Sequence, residues 1–527
     1  MAGQFSAHLS QPSGRRHSLQ AAGTALRPQD SPSKGTSMAT TGEPIAVDPG
    51  SPSSADGATG KQLRGKLGTR DLIFSAIALA APLSATTGYV SINIAYGNGL
   101  GTPTTFLVIT VALALFAVAF GGMAQYVERP GSFYAYICAG LGKPIGLGAS
   151  FLTLLAYAVL SLGFYGYAGV ATAAFVVREG GPDVQWWVWS LLFWAIVGTL
   201  GYLRIDISAK VLGVALFVEV LVVLIFDAVV FAKGGPEGVS ATVFTPDEFF
   251  SGQVGLALVL AILFFVGFES TAIYRDETSQ PGKTISRASI ISVVLIGVFY
   301  TITSWAVITG LGTSQAVKAV NDDLAGSFFT VSERYISAGF NDVTSVLLLT
   351  SIAASHLGLQ NMMSRYVFNL AKDGILPKPL AAVHGRHDSP HIASLTTSGA
   401  MLLGAGVMAA LGMKGEEVYS WFAGASSAPI AFALSLTSLA ALVYFARVQS
   451  SAAIWRYRIS AALATAFLLL CVTIALLNLP SLMGGSAAFR NGTLLVFSAV
   501  FIVGVAFAVA LRGRRPEIYA RIGREEA

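Results

Sequence analysis

Phe264-Phe265-Val266-Gly267-Phe268-Glu269-Ser270-Thr271 places a glycine, a carboxyl group and two hydroxyls inside an otherwise apolar run from Val254 to Tyr274. A run of about 20 apolar residues crosses a ~30 Å hydrocarbon layer as a helix, because no water is present there to satisfy a bare backbone. A polar, flexible interruption within such a helix survives only where it lines a cavity or ligand site. A second interruption, Ala81-Pro82-Leu83-Ser84-Ala85-Thr86-Thr87-Gly88, lies in the first apolar run, Leu72 to Tyr96. Pro82 removes a backbone donor, while Thr86, Thr87 and Gly88 add hydroxyls and flexibility that let the segment unwind.

The composition around these stretches is that of a membrane protein. Of 527 residues, 54% are hydrophobic and 12% charged, about half the ~25% charge of soluble domains, and the mean hydropathy is +0.66. Charge this sparse cannot cover the surfaces of a soluble enzyme, nor build the basic face that nucleic acid requires. Cys138 and Cys471 both lie in apolar surroundings, so neither a disulfide framework nor a cysteine-rich metal site is expected.

Twelve spanning helices are expected: Leu72 to Tyr96, Thr102 to Tyr126, Pro144 to Val176, Trp186 to Tyr202, Ile205 to Ala232, Val254 to Tyr274, Ser286 to Thr309, Val343 to Ser364, Ile392 to Met413, Val418 to Tyr444, Ile459 to Asn478 and Gly492 to Leu511. Residues 1–60 hold no apolar run and read as a disordered cytoplasmic tail. Arg15, Arg16 and His17 are not followed by an apolar segment, so no cleaved signal peptide is expected. Residues 61–512 form the membrane domain, and 513–527 a cytoplasmic C-terminal tail. With residue 61 inside, the inner loops carry 23 Lys and Arg against six outside. Positive residues accumulate on the cytoplasmic side, so both termini are expected there, in an integral protein of the cytoplasmic membrane. The basic surplus then faces anionic lipid.

Apart from Asp206, the second residue of the fifth span, only three acids fall inside the spans: Glu219, Asp227 and Glu269. Asp227 lies near the outer end of the fifth span and is expected to reach water. Glu219 sits near the middle of that span, between Phe217-Val218 and Val220-Leu221. A carboxyl group in hydrocarbon is expensive to ionise and is a functional candidate by default. Two readings stay open for Glu219, a proton-coupling group or a neutral group that hydrogen-bonds a neighbouring helix. Glu269 is a coupling candidate on the same grounds. So is His356, the only histidine inside a span, although a neutral imidazole bonded to a carbonyl is its default state. His384, His387 and His391 are spaced for a metal clip but lack Cys or paired carboxylates, so a solvated loop, and no metal, is expected.

The first and sixth spans are corresponding members of two five-helix halves with opposite orientation, as an inverted-repeat transporter would have. At paired breaks the N-terminus of a half-helix favours a carboxylate and a C-terminus favours an ammonium group. A zwitterionic amino acid matches that pattern without any charged side chain.

These residues also resemble a known family. Gly267-Phe268-Glu269-Ser270, with Asp276-Glu277-Thr278, Pro281, Lys283-Thr284-Ile285 and Arg287-Ala288, resembles the helix-six signature of the amino acid, polyamine and organocation permeases. Arg129-Pro130-Gly131-Ser132-Phe133-Tyr134-Ala135-Tyr136, with Gly140, Leu141 and Gly142, is similar to that family's segment between helices two and three. Ala371-Lys372-Asp373-Gly374-Ile375-Leu376-Pro377 and Ser389-Pro390-His391 resemble its loop after helix eight. The resemblance runs from about residue 65 to 512.

It implies an all-α membrane protein of twelve transmembrane helices, a five-plus-five inverted repeat with helices 1 and 6 broken, plus two C-terminal helices. It further implies that the substrate carboxylate docks on Ser84, Ala85, Thr86, Thr87 and Gly88, and the amino group on Val266, Gly267, Phe268 and Glu269. Phe264, Phe265, Phe164, Tyr165, Tyr167, Ser355 and His356 are further wall candidates. Some bacterial relatives place a lysine on helix five that mimics a bound sodium ion; this chain offers Glu219 there, so coupling cannot be carried across.

The expected activity is import of an amino acid, with proton as coupling ion. An amino acid or amine exchanger and a polyamine carrier are the rivals within transport, and a transporter-like nutrient receptor is the rival outside it. No nucleophile and base are set to face each other among the spans, so no enzyme is expected. No Gly-rich Lys-Ser/Thr loop occurs, so neither ATP coupling nor a cofactor is expected.

Overall fold

The computed structural model describes residues 67–128, 132–202, 205–324, 326–385, 389–449, 451–483 and 486–523. The expected 1–60 tail, His387, and Arg129, Pro130 and Gly131 of the helix two-three motif lie outside the described residues.

The described chain is helical. The first predicted span is divided into α1 (Thr69–Ala80) and α2 (Ser91–Tyr96), followed by α3 (Thr102–Tyr126), the short α4 (Phe133–Leu141) and α5 (Lys143–Arg178). Next come α6 (Trp186–Tyr202), α7 (Ile205–Lys233) and α8 (Val254–Leu263), the last of these continuing as turns through Ala272. The remainder is α9 (Pro281–Leu311), α10 (Ala338–Lys372), α11 (His391–Ala410), α12 (Gly415–Arg447), α13 (Ala452–Leu477), α14 (Ala487–Arg514) and α15 (Pro516–Arg521). Among the described residues, ten helical segments are long and apolar enough to cross a membrane. The two other predicted spans fall on α6, apolar but only 17 residues long, and on the 29-residue α7.

Local chemistry sets the helix ends. The Asp71 carboxylate accepts from the Gly68 amide at 2.8 Å, and Pro103 and Pro281 open α3 and α9, where a missing N–H costs nothing. The side chains of Ser337, Ser451 and Ser486 cap α10, α13 and α14 by accepting amides three residues on.

The interior is built where α3 packs on α9, and α5 on α12 and α14. Phe106, Phe264 and Tyr300 meet there at ring separations of 4.8 to 5.6 Å. α11, α13 and α14 turn Leu403, Leu477 and Leu495 outward, as lipid-facing helices do.

Two expectations are corrected. Asp227 does not reach water: it is 3% exposed, because Ser327–Tyr335 between α9 and α10 folds as a helix whose Phe328 stacks 4.3 Å from Phe226. Arg365, counted among the 23 inner-loop cations just past the predicted span end at Ser364, is not in a loop but inside the 35-residue α10, where it is buried against Glu277 at 2.8 Å and over the Tyr274 ring at 4.5 Å. Burial is tolerable because the guanidinium is paired.

Candidate functional site

Among the described residues, two non-glycines have positive φ, Ala81 at 49° and Ser132 at 50°. Such backbone costs roughly 1–3 kcal/mol and persists where surrounding structure holds it. Ala81 is where α1 stops: a new helical turn begins at Pro82, and Ala85–Val90 runs on as a wide π-helix into α2. Unwinding is therefore concentrated at Ala81, upstream of the expected Ser84 to Gly88 docking stretch.

The break after α8 comes at Gly267, with φ 123°. A Cβ there would sit 2.8 Å from Leu79 Cβ and 3.0 Å from the Ala76 carbonyl, so glycine is required both for its dihedral and for contact with α1. The break in the sixth span thus packs on the last turns of α1. Ser132 ties this break to α4, its hydroxyl donating to the Glu269 carbonyl at 3.0 Å.

A cavity lies between the breaks. Its lining includes Ala81 and Ala85 from the first span, Phe264 and Val266 from the sixth, Leu160 and Phe164 from α5, and Leu359 from α10. Among the described residues, no charged side chain lines it. In the turn starting at Pro82, which itself has no N–H, the Leu83 and Ser84 amides have no intrahelical partners by construction.

The predicted site residues divide accordingly. Ala85 and Val266 line the cavity. Ser84 is buried, and among the described residues no partner reaches its hydroxyl. Thr86 is turned back on its own helix, donating to the Pro82 carbonyl at 2.7 Å. Thr87 donates to the Leu83 carbonyl and shares a 3.0 Å bond with the Tyr167 hydroxyl. Gly88 lies beneath a pair of stacked rings, Tyr167 and Tyr419, 4.6 Å apart; a Cβ on it would come 2.6 Å from the Tyr419 oxygen. Phe268 packs away from the cavity against Phe116 and Phe120. Glu269 Oε1 accepts from the Tyr157 hydroxyl at 2.6 Å and Oε2 from the Gly267 amide at 2.8 Å. That carboxyl group caps the break and pins it to α5.

The other coupling candidates lie apart from this cavity lining. Glu219 is 1% exposed and lies beside Ser351 of α10 and Tyr300 of α9. Among the described residues no donor reaches its Oε1. The Tyr300 hydroxyl donates to the Ala80 carbonyl at 3.0 Å, placing Glu219 one residue away from the end of α1. Asp227 accepts from Thr303 at 2.9 Å. His356 shares its Nδ1 with the Ile352 carbonyl at 3.0 Å, which puts a proton on that nitrogen, and its ring rests 4.3 Å from Tyr165. Ser355 likewise bonds the Ile352 carbonyl. His384 and His391 face each other at 5.1 Å beside Tyr202.

Sequence reading missed Tyr157, Tyr419 and Ser132. Tyr157, Leu160, Phe164 and Tyr167 recur at i, i+3, i+7 and i+10, one face of a helix, and that face was the available signal for Tyr157.

A bundle of membrane-crossing helices, two of them broken against each other around a cavity, defines a membrane transport protein. The chain belongs to the amino acid permease family, which it matches over residues 71–515. It is similar to a branched-chain amino acid permease of Bacillus subtilis (strain 168), 26% identical over 63% of this chain and 73% of the relative. It is also similar to an aromatic amino acid transport protein of Escherichia coli (strain K12), 23% identical over 62% of this chain and 71% of that one. A lysine-specific permease of Lactococcus lactis subsp. cremoris (strain MG1363) is 23% identical over 66% of this chain and 70% of its own length. The family and these relatives are permeases, not enzymes, and the chain is an integral membrane protein.

Proposed function

We propose that the protein is a secondary active transporter that imports an amino acid with an apolar side chain, driven by proton symport. The single observation carrying this reading is the contact of two broken helices around a cavity that, among the described residues, is lined by no charged side chain. The turn that begins at Pro82 offers the helix-start amides of Leu83 and Ser84 to the substrate carboxylate. Leu160, Phe164, Phe264 and Leu359, which line the cavity, surround the side chain. A polyamine or a lysine side chain would bury an ammonium group here without a carboxylate to pair it, at a cost of several kcal/mol.

In this reading Glu219 carries the coupling proton. Its neighbour Tyr300 holds the last carbonyl of α1, so a change of charge at Glu219 is felt where the first span breaks. Each gradient biases the transporter only as far as its ligand distinguishes the outward from the inward state. The bundle has twelve spans in two inverted five-helix halves plus α13 and α14, and both ends of the chain face the cytoplasm.

Purified protein in liposomes, given labelled leucine from outside with and without an imposed pH gradient, tests this reading. Accumulation only with the outside acidic supports it. Accumulation that needs an internal amino acid and ignores pH would establish an exchanger instead, and saturable binding without accumulation would establish a receptor.

A further inference from the structure

The segment after α14 folds back onto the bundle. Ile522 is fully buried. The Lys143 ammonium donates to the carbonyls of Tyr519 and Ala520 at 3.0 and 2.7 Å and sits 5.2 Å above the Tyr519 ring. The Gly523 amide donates to the Tyr134 hydroxyl at 2.9 Å and to Asp373 Oδ2 at 3.0 Å, and Tyr134 itself donates to that oxygen. A Cβ on Gly523 would lie 2.8 Å from Cys138 Sγ. Residues 516–523 therefore cover α4 and fasten it to the turn that ends α10.

α4 is also the element that meets the site. At its start Ser132 holds the Glu269 carbonyl, and Phe133 packs on Phe116 and Phe120, which pack on Phe268. One nine-residue helix thus meets the break in the sixth span through Ser132 and Phe133, and the covering segment through Tyr134 and Cys138. Any motion of the break that shifts α4 must loosen the contacts of 516–523.

We propose that residues 516–523 are a strap that locks α4 against the end of α10 and acts as a built-in brake on the opening of this face during transport. Lys143 and Ile522 are its fastenings, and Cys138, beneath Gly523, reports whether it is closed.

The test uses the full-length protein in nanodiscs, both faces accessible. N-ethylmaleimide labelling of Cys138 is followed by mass spectrometry, with buried Cys471 of α13 as the internal reference. Loss of a charge-assisted bond should raise the open population, so Lys143→Gln is expected to label about tenfold faster, and Ile522→Asp faster still, with Cys471 unchanged. In proteoliposomes the same variants should raise the maximal uptake rate at unchanged KM. Labelling no faster than in the parent protein overturns the strap; faster labelling with unchanged or lower maximal rate overturns the brake. The labelling needs no substrate, so it stands or falls independently of the proposed transport activity. Lys143→Gln, the milder change, keeps the test open if Ile522→Asp does not fold.

Discussion

Tyr157 and Glu269, 112 residues apart in sequence, are joined by a 2.6 Å hydrogen bond that fixes the break in the sixth span to α5. The other oxygen of Glu269 takes the Gly267 amide, two residues before it. One buried carboxyl group thereby satisfies the backbone at its own break and ties the break to a neighbouring helix.

That pairing predicts coupling between the two residues. Tyr157→Phe and Glu269→Ala should each destabilise the protein by about 1–3 kcal/mol, since each leaves a buried polar group without its partner. In combination the losses should fall short of their sum by about 1 kcal/mol. Chemical unfolding of the detergent-solubilised variants measures this; strictly additive losses would show that the bond contributes no stability.

Gly267→Ala should abolish uptake while leaving membrane insertion intact. The added methyl group enters the space held by Leu79 and forces a residue with a side chain to φ 123°. Normal uptake by this variant would mean that the break in the sixth span need not pack on α1.

Glu219→Gln should flatten the pH dependence of uptake while changing substrate affinity little, because Glu219 does not line the cavity. Initial rates between about pH 5 and 8 decide the matter. A pH profile identical to that of the parent protein would reduce Glu219 to a structural hydrogen-bonding role.

Outside the membrane, the Glu237 carboxylate accepts from the hydroxyls of Thr313 and Ser314 and from the Ser314 amide, holding its pKa below the ordinary range, chiefly through Ser314. A lowered folded-state pKa means the contribution is present above the unfolded value and is lost as pH falls through the folded one. Glu237→Gln should therefore remove part of the loss of thermal stability on acidification below about pH 4. Parallel melting profiles for parent and variant would contradict it.

Much of the fold was legible in the sequence because apolar runs of membrane length leave the backbone little choice. The break at Gly267 showed itself as a glycine and a carboxyl group within hydrocarbon. The first interruption was legible as the stretch from Ala81 to Gly88, but not which residue carries the positive φ: the Thr86 and Thr87 hydroxyls bond their own helix and the left-handed backbone falls on Ala81, which has no polar mark. Asp227 was read as wet because Ser327–Tyr335, the helix that helps to cover it, is too short and polar to register as a packing element. Arg365 was assigned to a loop because a lone charge argues against a span, and its partner Glu277 is 88 residues away. Tyr157 and Ser132 act on Glu269 through contacts that no local pattern encodes.

The most direct measurement is equilibrium binding of labelled leucine to the purified protein and to Gly88→Leu, in competition with unlabelled leucine and with its decarboxylated amine. The apposed breaks predict saturable binding displaced by leucine but not by the amine, and no binding by the variant, whose side chain collides with Tyr419 and Tyr167. Undiminished affinity in a folded Gly88→Leu protein, or equal displacement by the amine, would contradict the placement of the substrate.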